Sequence, residues 1–372
     1  MFVKIKYLTL LLFYFLFISI PVNAKSDLFS VEEVVTDLDY PWSLAFISES
    51  QFLVTQRTGS LRQVVNFTLS KPIEGLPKDI YVNGQGGLLD VVLHPDYAQN
   101  GWIYLSYSAG SDERNTLKVM RAKLKNNQLV DSQVIFTVKP YRNTPVHYGG
   151  RLAFLDDNSL LISSGDGFDF RENAQRVNNQ MGKILRILDD GQIPDDNPYI
   201  GETEKNLAHS VYSLGHRNPQ GLVYDPIRNL VFSNEHGPAG GDEINIIRKG
   251  ENYGWPIITN GKDYSGALIT PFKKYQGMRQ PLVDWTPSIA PSSITVYDGM
   301  MFPQMRGDFL VSSLKSNEIL WIQMQQNKVV GQQSLLSELG YRFRDVKVHP
   351  DGSLYILVDS QKGKILRVTA NR

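Results

Sequence analysis

One short pattern recurs along this chain, and it constrains the fold more than any other feature. An apolar run is followed by a turn that often contains Pro, Asp or Gly, and then by a second run of apolar or β-branched residues. The six copies begin at Leu44, Asp90, Leu152, Leu222, Met300 and Val346. Each copy predicts a β-hairpin, because such residues favour strands and such turns reverse the chain.

A single hairpin of this kind cannot bury both of its faces. Repeated units solve the problem by packing on one another, and units of about four strands arranged radially around a channel leave only short edges exposed. A β-sandwich of about 100 residues would not require so many spaced copies. The sequence therefore predicts an all-β fold, a six-bladed β-propeller, with one blade for each copy.

Charge and composition exclude several functional classes. The 372 residues carry 38 Lys plus Arg and 38 Asp plus Glu, without a long run of either sign. This balance argues against a nucleic-acid partner and against binding to an anionic membrane surface. The chain has no cysteine, so disulfides, thiolate metal sites and a cysteine nucleophile are excluded.

The first 24 residues have the pattern of an export signal. Lys4 and Lys6 precede a mostly apolar run over residues 7–20, and small residues occupy positions 22–24. The apolar run is shorter than the ~20 residues that a spanning helix needs. We predict a cleaved signal peptide at residues 1–24, a single propeller domain at residues 25–372 and no stable membrane insertion. The predicted location is the periplasm, with secretion as the alternative.

Two polar clusters in Gly-rich turns could carry chemistry, since propeller loops converge at the channel mouth. His147 stands just before Gly149 and Gly150, where a ligand could approach closely and where a histidine could act as a base near neutral pH. Arg217 and Asn218 place a guanidinium beside an amide, which suits a carboxylated ligand. From the residues alone, a structural loop histidine and a surface arginine remain open readings.

Two further clusters have residues that favour the binding of ions, one a cation and the other an anion. Residues 234–243 and 250–256 combine Gly and Pro carbonyls with carboxylates, which are oxygen ligands typical of Ca²⁺, although the spacing is not that of an EF-hand. Lys315, Arg342 and Arg344 could gather positive charge at one channel mouth, which is costly unless an anion binds there. Solvated loops and surface charges remain the alternatives.

Several long motifs resemble one known family. The chain is similar to the soluble pyrroloquinoline quinone-dependent glucose/sorbosone dehydrogenases, and within them to periplasmic aldose sugar dehydrogenases. The resemblance extends over nearly all of the mature chain. The motifs that carry it are GQGGLLDVVLHPDY, HYGGRLAF, MGKILRI, GHRNPQG, EHGPAGGDEINII, NYGWP, APSSITVYDG, SLK and RFRDV.

The resemblance implies a function and a set of site residues. Members of the family are six-bladed propellers that oxidise an aldose at C1 by hydride transfer to the quinone, with Ca²⁺ assistance. By this similarity His147 is the catalytic base and Trp285 lies near the substrate. The implied cofactor contacts are Gln85, Arg217, Asn218, Tyr264, Lys315, Arg342 and Arg344. The implied Ca²⁺ ligands are the carbonyls of Gly237 and Pro238 at the catalytic ion, and Glu243 and Tyr253 at a structural one.

One position departs from the family pattern, and two other functions stay open. Val146 precedes His147 where glucose-specialised members have an Asp, which favours a broader aldose range. A Ca²⁺-dependent propeller lactonase would share the fold and the cation, and a non-catalytic binding propeller would share the fold alone. The expected partners are an aldose and an unidentified electron acceptor, and the expected state is a monomer or homodimer.

Overall fold

The computed structural model describes residues 29–201 and 207–371. The predicted signal peptide, residues 1–24, lies outside the described residues. The described chain forms six antiparallel four-stranded sheets arranged as the blades of a β-propeller. The prediction of an all-β, six-bladed propeller is therefore confirmed.

The strands of each blade run in chain order from the channel outward, except that the outer strand of the last blade comes from the start of the chain. Blade 1 contains β2 (Pro41–Ser48), β3 (Gln51–Gln56), β4 (Ser60–Val65) and β5 (Thr68–Leu69). Blade 2 contains β6 (Leu88–Leu93), β7 (Trp102–Gly110), β8 (Asn115–Lys125) and β9 (Gln128–Thr137). Blade 3 contains β10 (Gly149–Phe154), β11 (Leu160–Ser164), β12 (Lys183–Ile187) and β13 (Val211–Leu214).

The second half of the ring repeats this arrangement. Blade 4 contains β14 (Pro219–Asp225), β15 (Leu230–Glu235), β16 (Asp242–Ile247) and β17 (Val283–Trp285). Blade 5 contains β18 (Pro291–Val296), β19 (Phe309–Ser313), β20 (Ile319–Gln325) and β21 (Lys328–Leu335). Blade 6 contains β22 (Phe343–Val348), β23 (Leu354–Val358), β24 (Gly363–Ala370) and β1 (Phe29–Leu38).

The pairing of β1 with β24 closes the ring. Phe29 lies opposite Ala370, and the pairing continues to Leu38 opposite Gly363. Because the two ends of the described chain share one sheet, blade 6 cannot open without breaking its own strand pairing. Closure of this kind removes exposed edges from an all-β architecture.

Helical structure is confined to short connections. The α-helix α1 spans Tyr97–Asn100, and single 3₁₀ turns span Arg171–Gln175, Ala208–Ser210, Pro303–Met305 and Ser337–Leu339. Within residues 29–201 and 207–371, no helix is long and apolar enough to cross a membrane.

Five of the six sequence copies coincide with the first two strands of a blade, and one does not. The copy that begins at Met300 lies after β18, and its apolar start forms a turn around Pro303–Met305. Phe302 and Met305 are buried there in the core between blades 5 and 6. Phe302 and Met305 are thus core residues of a loop, whereas Met300 is exposed. The second run of the copy forms β19, and the first strand of blade 5, β18, lies upstream.

Arg151, on β10, joins the blades at the propeller axis. Its guanidinium lies over the Trp42 ring of blade 1, at 4.0 Å from the centroid. It lies 3.5 Å from Asp90 of blade 2 and 3.4 Å from Asp345 of blade 6. It also donates hydrogen bonds to the backbone carbonyls of Gln220 in blade 4 and Ser292 in blade 5. The single buried side chain of Arg151 therefore contacts each of the other five blades.

Candidate active site

A cavity of about 300 Å³ lies at one end of the axis, beside Arg151. Trp42 and Gln220 line it, and both contact Arg151. Four residues predicted to bind the cofactor meet in this cavity: Gln85, Asn218, Arg342 and Arg344. Three different blade connections and one inner strand supply them. The structure thus brings together side chains that are up to 259 positions apart (344 minus 85).

The cavity is rich in guanidinium groups. Arg57, Arg342 and Arg344 line it together with a single carboxylate, Asp359. Asp359 lies 3.1 Å from Nη2 of Arg342 and 3.6 Å from Nη2 of Arg344. Burial lowers the pKa of Arg344, and the charge of Asp359 opposes this effect. Nε of Arg344 is buried without a hydrogen-bond partner. This excess of positive charge fits an anionic ligand with several carboxylates.

Lys315 lies at the rim of the same cavity. It is exposed, and its neighbour Leu314 lines the cavity and accepts a hydrogen bond of 3.0 Å from Nη1 of Arg342. The turn after β19 therefore places an exposed lysine directly after a residue that lines the cavity.

His147 is buried next to a buried aspartate. Its Nδ1 atom lies 2.7 Å from Oδ1 of Asp166, and its backbone N–H donates a 2.8 Å hydrogen bond to Oε1 of Gln85. The residue adopts a left-handed conformation with φ 53°. A Cβ atom at Gly165 would lie 2.1 Å from the His147 carbonyl oxygen, so only glycine fits at that position. Gly165, directly before Asp166, therefore allows the backbone of His147 to approach closely enough for the two side chains to meet.

The Asp166 carboxylate accepts hydrogen bonds from three ring-bearing residues. Oδ1 accepts hydrogen bonds from His147 Nδ1 and from the backbone N–H of Phe168, at 2.7 and 2.8 Å. Oδ2 accepts a 2.8 Å hydrogen bond from the indole N–H of Trp255. Burial tends to raise the pKa of Asp166, but the His147 hydrogen bond and nearby positive charge outweigh it, and the pKa is lowered. The carboxylate is therefore ionised and fixes the proton of His147 on Nδ1.

The remaining nitrogen of His147, Nε2, is consequently the basic one. Burial lowers the pKa of His147, and the charges of Arg217 and Arg142 add to this effect, while Asp166 opposes it. The net lowering keeps the imidazole neutral at neutral pH, in the form that accepts a proton. This is the arrangement that a general base requires.

Arg217 contacts the proposed cation turn. Its Nη1 atom donates hydrogen bonds to the carbonyls of Gly237, at 2.6 Å, and His236, at 3.1 Å. The Gly237 carbonyl predicted to bind Ca²⁺ therefore accepts from a guanidinium, and a cation at this position would have to share it with Arg217. Pro238 lines a neighbouring cleft.

Glu243 and Tyr253 line a cavity of about 10 Å³, enough for about one water-sized group. Glu235 lines it as well. Burial raises the pKa of Glu243 well above its usual value, and repulsion from the Glu235 carboxylate adds to this rise. The Tyr253 hydroxyl donates to the Ile246 carbonyl, so only the backbone oxygen of Tyr253 is left to bind a cation. In the part of the chain that the structure describes, no group of three or more histidine, aspartate and glutamate side chains could hold a metal.

Besides Lys315, three of the residues predicted to bind the cofactor or the substrate do not line the axial cavity: Arg217, Tyr264 and Trp285. Tyr264 lies beside the cleft lined by Pro238, with its hydroxyl 3.4 Å from Nη2 of Arg217. Trp285 is packed between blades 4 and 5, and its indole N–H donates a 2.9 Å hydrogen bond to Gln332. The structure does not bring Trp285 to the cavity. Trp255 is the tryptophan that lies next to the histidine–aspartate pair.

Comparison with known proteins gives the family. The profile of the glucose/sorbosone dehydrogenases matches residues 38–367. The chain belongs to this family. It is 40% identical over 347 residues to the aldose sugar dehydrogenase YliI of Escherichia coli, covering 91% of this chain and 92% of that protein. It is 30% identical over 269 residues to the quinoprotein glucose dehydrogenase B of Acinetobacter calcoaceticus, covering 63% and 54% of the two chains.

Solved structures agree with this assignment. The apo form of the soluble aldose sugar dehydrogenase from Escherichia coli superposes with a TM-score of 0.88 at 39% identity, covering 92% of this chain and 100% of that chain. The quinone-bound form of the aldose sugar dehydrogenase from Streptomyces coelicolor gives a TM-score of 0.75 at 26% identity, covering 93% and 99%. The family and these relatives support a sugar dehydrogenase of the quinone-dependent class of oxidoreductases.

The structure adds three polar residues that the sequence analysis did not single out: Arg57, Asp166 and Asp359. Asp166 follows a Gly in the SSGDG turn after β11, and a carboxylate in a Gly-rich turn was a usable signal. Arg57 and Asp359 occupy ordinary-looking turns after β3 and β23. Only the closure of the ring shows that they face the same cavity.

Proposed function

We propose that this protein oxidises aldose sugars at C1 to the lactone, with pyrroloquinoline quinone as the bound cofactor and Ca²⁺ as an assisting ion. The observation that carries the proposal is the buried His147–Asp166 pair close to a cavity with three guanidinium groups. A sugar dehydrogenase needs a base for the anomeric hydroxyl and a site for its electron acceptor. The His147–Asp166 pair would provide the base, and the cavity would provide the site for the acceptor.

His147 would take the proton of the anomeric hydroxyl on Nε2. As this O–H bond breaks, the C1–H bond releases a hydride, and the C1–O bond becomes the carbonyl of the lactone. Asp166 stabilises the imidazolium that forms, because its carboxylate accepts the Nδ1–H hydrogen bond throughout. The Phe168 ring packs edge-on against the imidazole, with 5.2 Å between the centroids.

The axial cavity would hold the quinone. The cofactor is a tricarboxylate, and charge-assisted hydrogen bonds from Arg57, Arg342 and Arg344 would hold its carboxylates, with Lys315 at the rim. Asn218 and Gln85 would contact it from the side of His147. When bound, the quinone would supply the hydride acceptor, and Ca²⁺ would supply Lewis-acid assistance.

Cation binding has support from the donor chemistry at two places. The turn at Gly237 and Pro238 offers backbone carbonyl oxygens, which suit a hard cation. At the second place, Glu235 and Glu243 repel each other around a cavity of single-ion size, and a divalent cation would relieve that repulsion. Arg217 would have to give up part of its contact with the Gly237 carbonyl when the first ion binds.

We also propose that the protein is exported to the periplasm after removal of residues 1–24. An unidentified acceptor would then reoxidise the cofactor there. Val146 stands where the glucose-specialised members have an Asp, which supports a broad range of aldoses, because no carboxylate precedes the base to select one sugar.

Reconstitution tests the proposal. Purified protein is dialysed against a chelator, then given the quinone, Ca²⁺, or both, and assayed with an aldose panel and an artificial dye. We expect dye reduction only with both additions. Full activity in the chelated protein without quinone would contradict the proposal. Lactone hydrolysis without added quinone would favour the lactonase, and absence of any turnover would favour a binding propeller.

A further inference from the structure

A second cleft, of about 290 Å³, lies beside the histidine–aspartate pair and opens to solvent. Three aromatic residues line it: Phe168, Trp255 and Tyr264. Three carboxylates, those of Asp169, Glu172 and Asp263, and two guanidinium groups, those of Arg171 and Arg217, line it as well. Aromatic faces next to acceptors of hydrogen bonds suit a sugar, since a pyranose ring has apolar C–H faces and an equatorial rim of hydroxyl groups.

Phe168 is the residue that joins this cleft to the base. Its ring packs edge-on against the His147 imidazole, with 5.2 Å between centroids and an angle of 79°. It also lies nearly parallel to the Tyr264 ring, with 6.3 Å between centroids and an angle of 18°. A ligand that touches Phe168 in the cleft is therefore close to the His147 imidazole, which does not itself line the cleft.

The conformation of Phe168 needs an explanation. The residue has φ 68°, in the left-handed region that large side chains rarely adopt, yet its side chain is 44% exposed. Backbone strain that leaves an apolar ring in solvent contributes nothing to the core, and such strain tends to concentrate at functional sites. Asp166 holds the conformation through the Phe168 N–H, with the same oxygen that orients His147. One carboxylate thus sets both the base and the aromatic ring.

We propose that Phe168 is a substrate-binding residue that holds the aldose ring by its apolar face while the anomeric hydroxyl meets His147. The inference rests on the proposed function and names the sugar subsite of that reaction. Asp169 and Glu172 accept hydrogen bonds from the hydroxyl groups at the far end of the ring. Arg171, which lies 3.2 Å from Glu172, and Arg217 offset two of the three carboxylate charges in the cleft, so the subsite suits neutral aldoses.

The test compares Phe168→Ala and Phe168→Tyr with a control, Tyr275→Ala. Tyr275 is an exposed aromatic residue of the connection between β16 and β17, which also contains Tyr264, but it does not line the cleft. Binding is measured by calorimetry with 1,5-anhydroglucitol, a glucose analogue without an anomeric hydroxyl, on the protein with and without quinone and Ca²⁺. Turnover with glucose is measured in parallel on the loaded protein.

We expect Phe168→Ala to raise the Kd of the analogue and the KM for glucose about tenfold, with a smaller effect on kcat. Phe168→Tyr should keep both within about threefold, because the aromatic face remains. The proposal fails if Phe168→Ala binds the analogue like the parent protein, or if Tyr275→Ala weakens binding equally. If Phe168→Ala lowers kcat alone, Phe168 only supports His147 and the proposal is wrong.

The two proposals fail separately. Parent protein that shows no quinone-dependent turnover but loses analogue affinity on Phe168→Ala would contradict the proposed reaction and support the sugar subsite. Parent protein that turns over glucose, with a Phe168→Ala variant of unchanged KM and Kd, would support the reaction and contradict the subsite. As a check on charge, Glu172→Gln should raise the kcat/KM for glucuronic acid relative to that for glucose, and an unchanged ratio would contradict the role of this carboxylate.

Discussion

Nδ1 of His147 lies 2.7 Å from Oδ1 of Asp166, and both side chains are buried. The two residues are 19 positions apart and belong to the loops that flank β10 and β11. Because the carboxylate is ionised and accepts the Nδ1 proton, Nε2 is the free basic atom. This contact is the structural reason to expect that His147, in its Gly-rich turn, acts as a base through Nε2.

His147→Gln should therefore leave the fold and the cofactor affinity intact and lower kcat by about 10²- to 10⁴-fold. The loss should appear when sugar reduces the bound cofactor, because only that step removes a proton from the substrate. Stopped-flow spectra separate it from reoxidation by dye, which should be nearly unchanged. Reduction by an aldose at the parent rate would make His147 a structural residue.

Asp166→Asn should change the pH dependence as well as the rate. The Asp166 hydrogen bond and charge raise the pKa of His147 against the effect of burial. Removing the charge should lower this pKa further, so the acid limb of the kcat/KM profile should move to lower pH. We expect kcat to fall by about 10²-fold or more, since an amide stabilises the imidazolium poorly. An acid limb that stays in place or moves to higher pH would contradict this account.

Arg344→Ala should weaken quinone binding without unfolding the protein. The loss of one charge-assisted contact corresponds to about 1.5 to 3 kcal/mol, or about ten- to a hundredfold in Kd. Fluorescence titration with the quinone measures the affinity, and thermal unfolding of the apoprotein measures stability. Arg279→Ala is a suitable control, because this exposed arginine pairs with Glu251 away from the cavity. Equal quinone affinity in the Arg344 variant and the control would exclude Arg344 from the site.

Arg151→Met should destabilise the whole propeller. It would leave Asp90 and Asp345 buried without the arginine that lies between them, and breaking a buried ion pair costs about 3 to 5 kcal/mol. Denaturant unfolding of the apoprotein measures the loss. The triple variant that also carries Asp90→Asn and Asp345→Asn should recover part of it, since the uncompensated charges are gone. A single variant as stable as the parent would show that Arg151 does not join the blades energetically.

Local patterns were enough to predict much of this protein. Strand and turn propensities act over a few residues, so the repeated hairpin gave the all-β fold and the number of blades. The motifs around His147, Arg217 and Arg344 carried the family resemblance. The prediction that the copy at Met300 begins with a strand was wrong, because an apolar run looks alike in a strand and in a buried loop. Only packing against blade 6 distinguishes the two.

The sequence by itself thus determined the repeating unit, the charge types at the site and the candidate base. The tertiary structure decided which side chains face one another. Asp359 pairs with Arg342, and Arg151 contacts each of the other five blades. Trp285 packs between two blades, while Trp255 donates a hydrogen bond to Asp166. These relationships join residues far apart in the chain, and they depend on the angle and register at which the blades close around the axis. No local propensity encodes that geometry, because it results from the packing of all six blades at once.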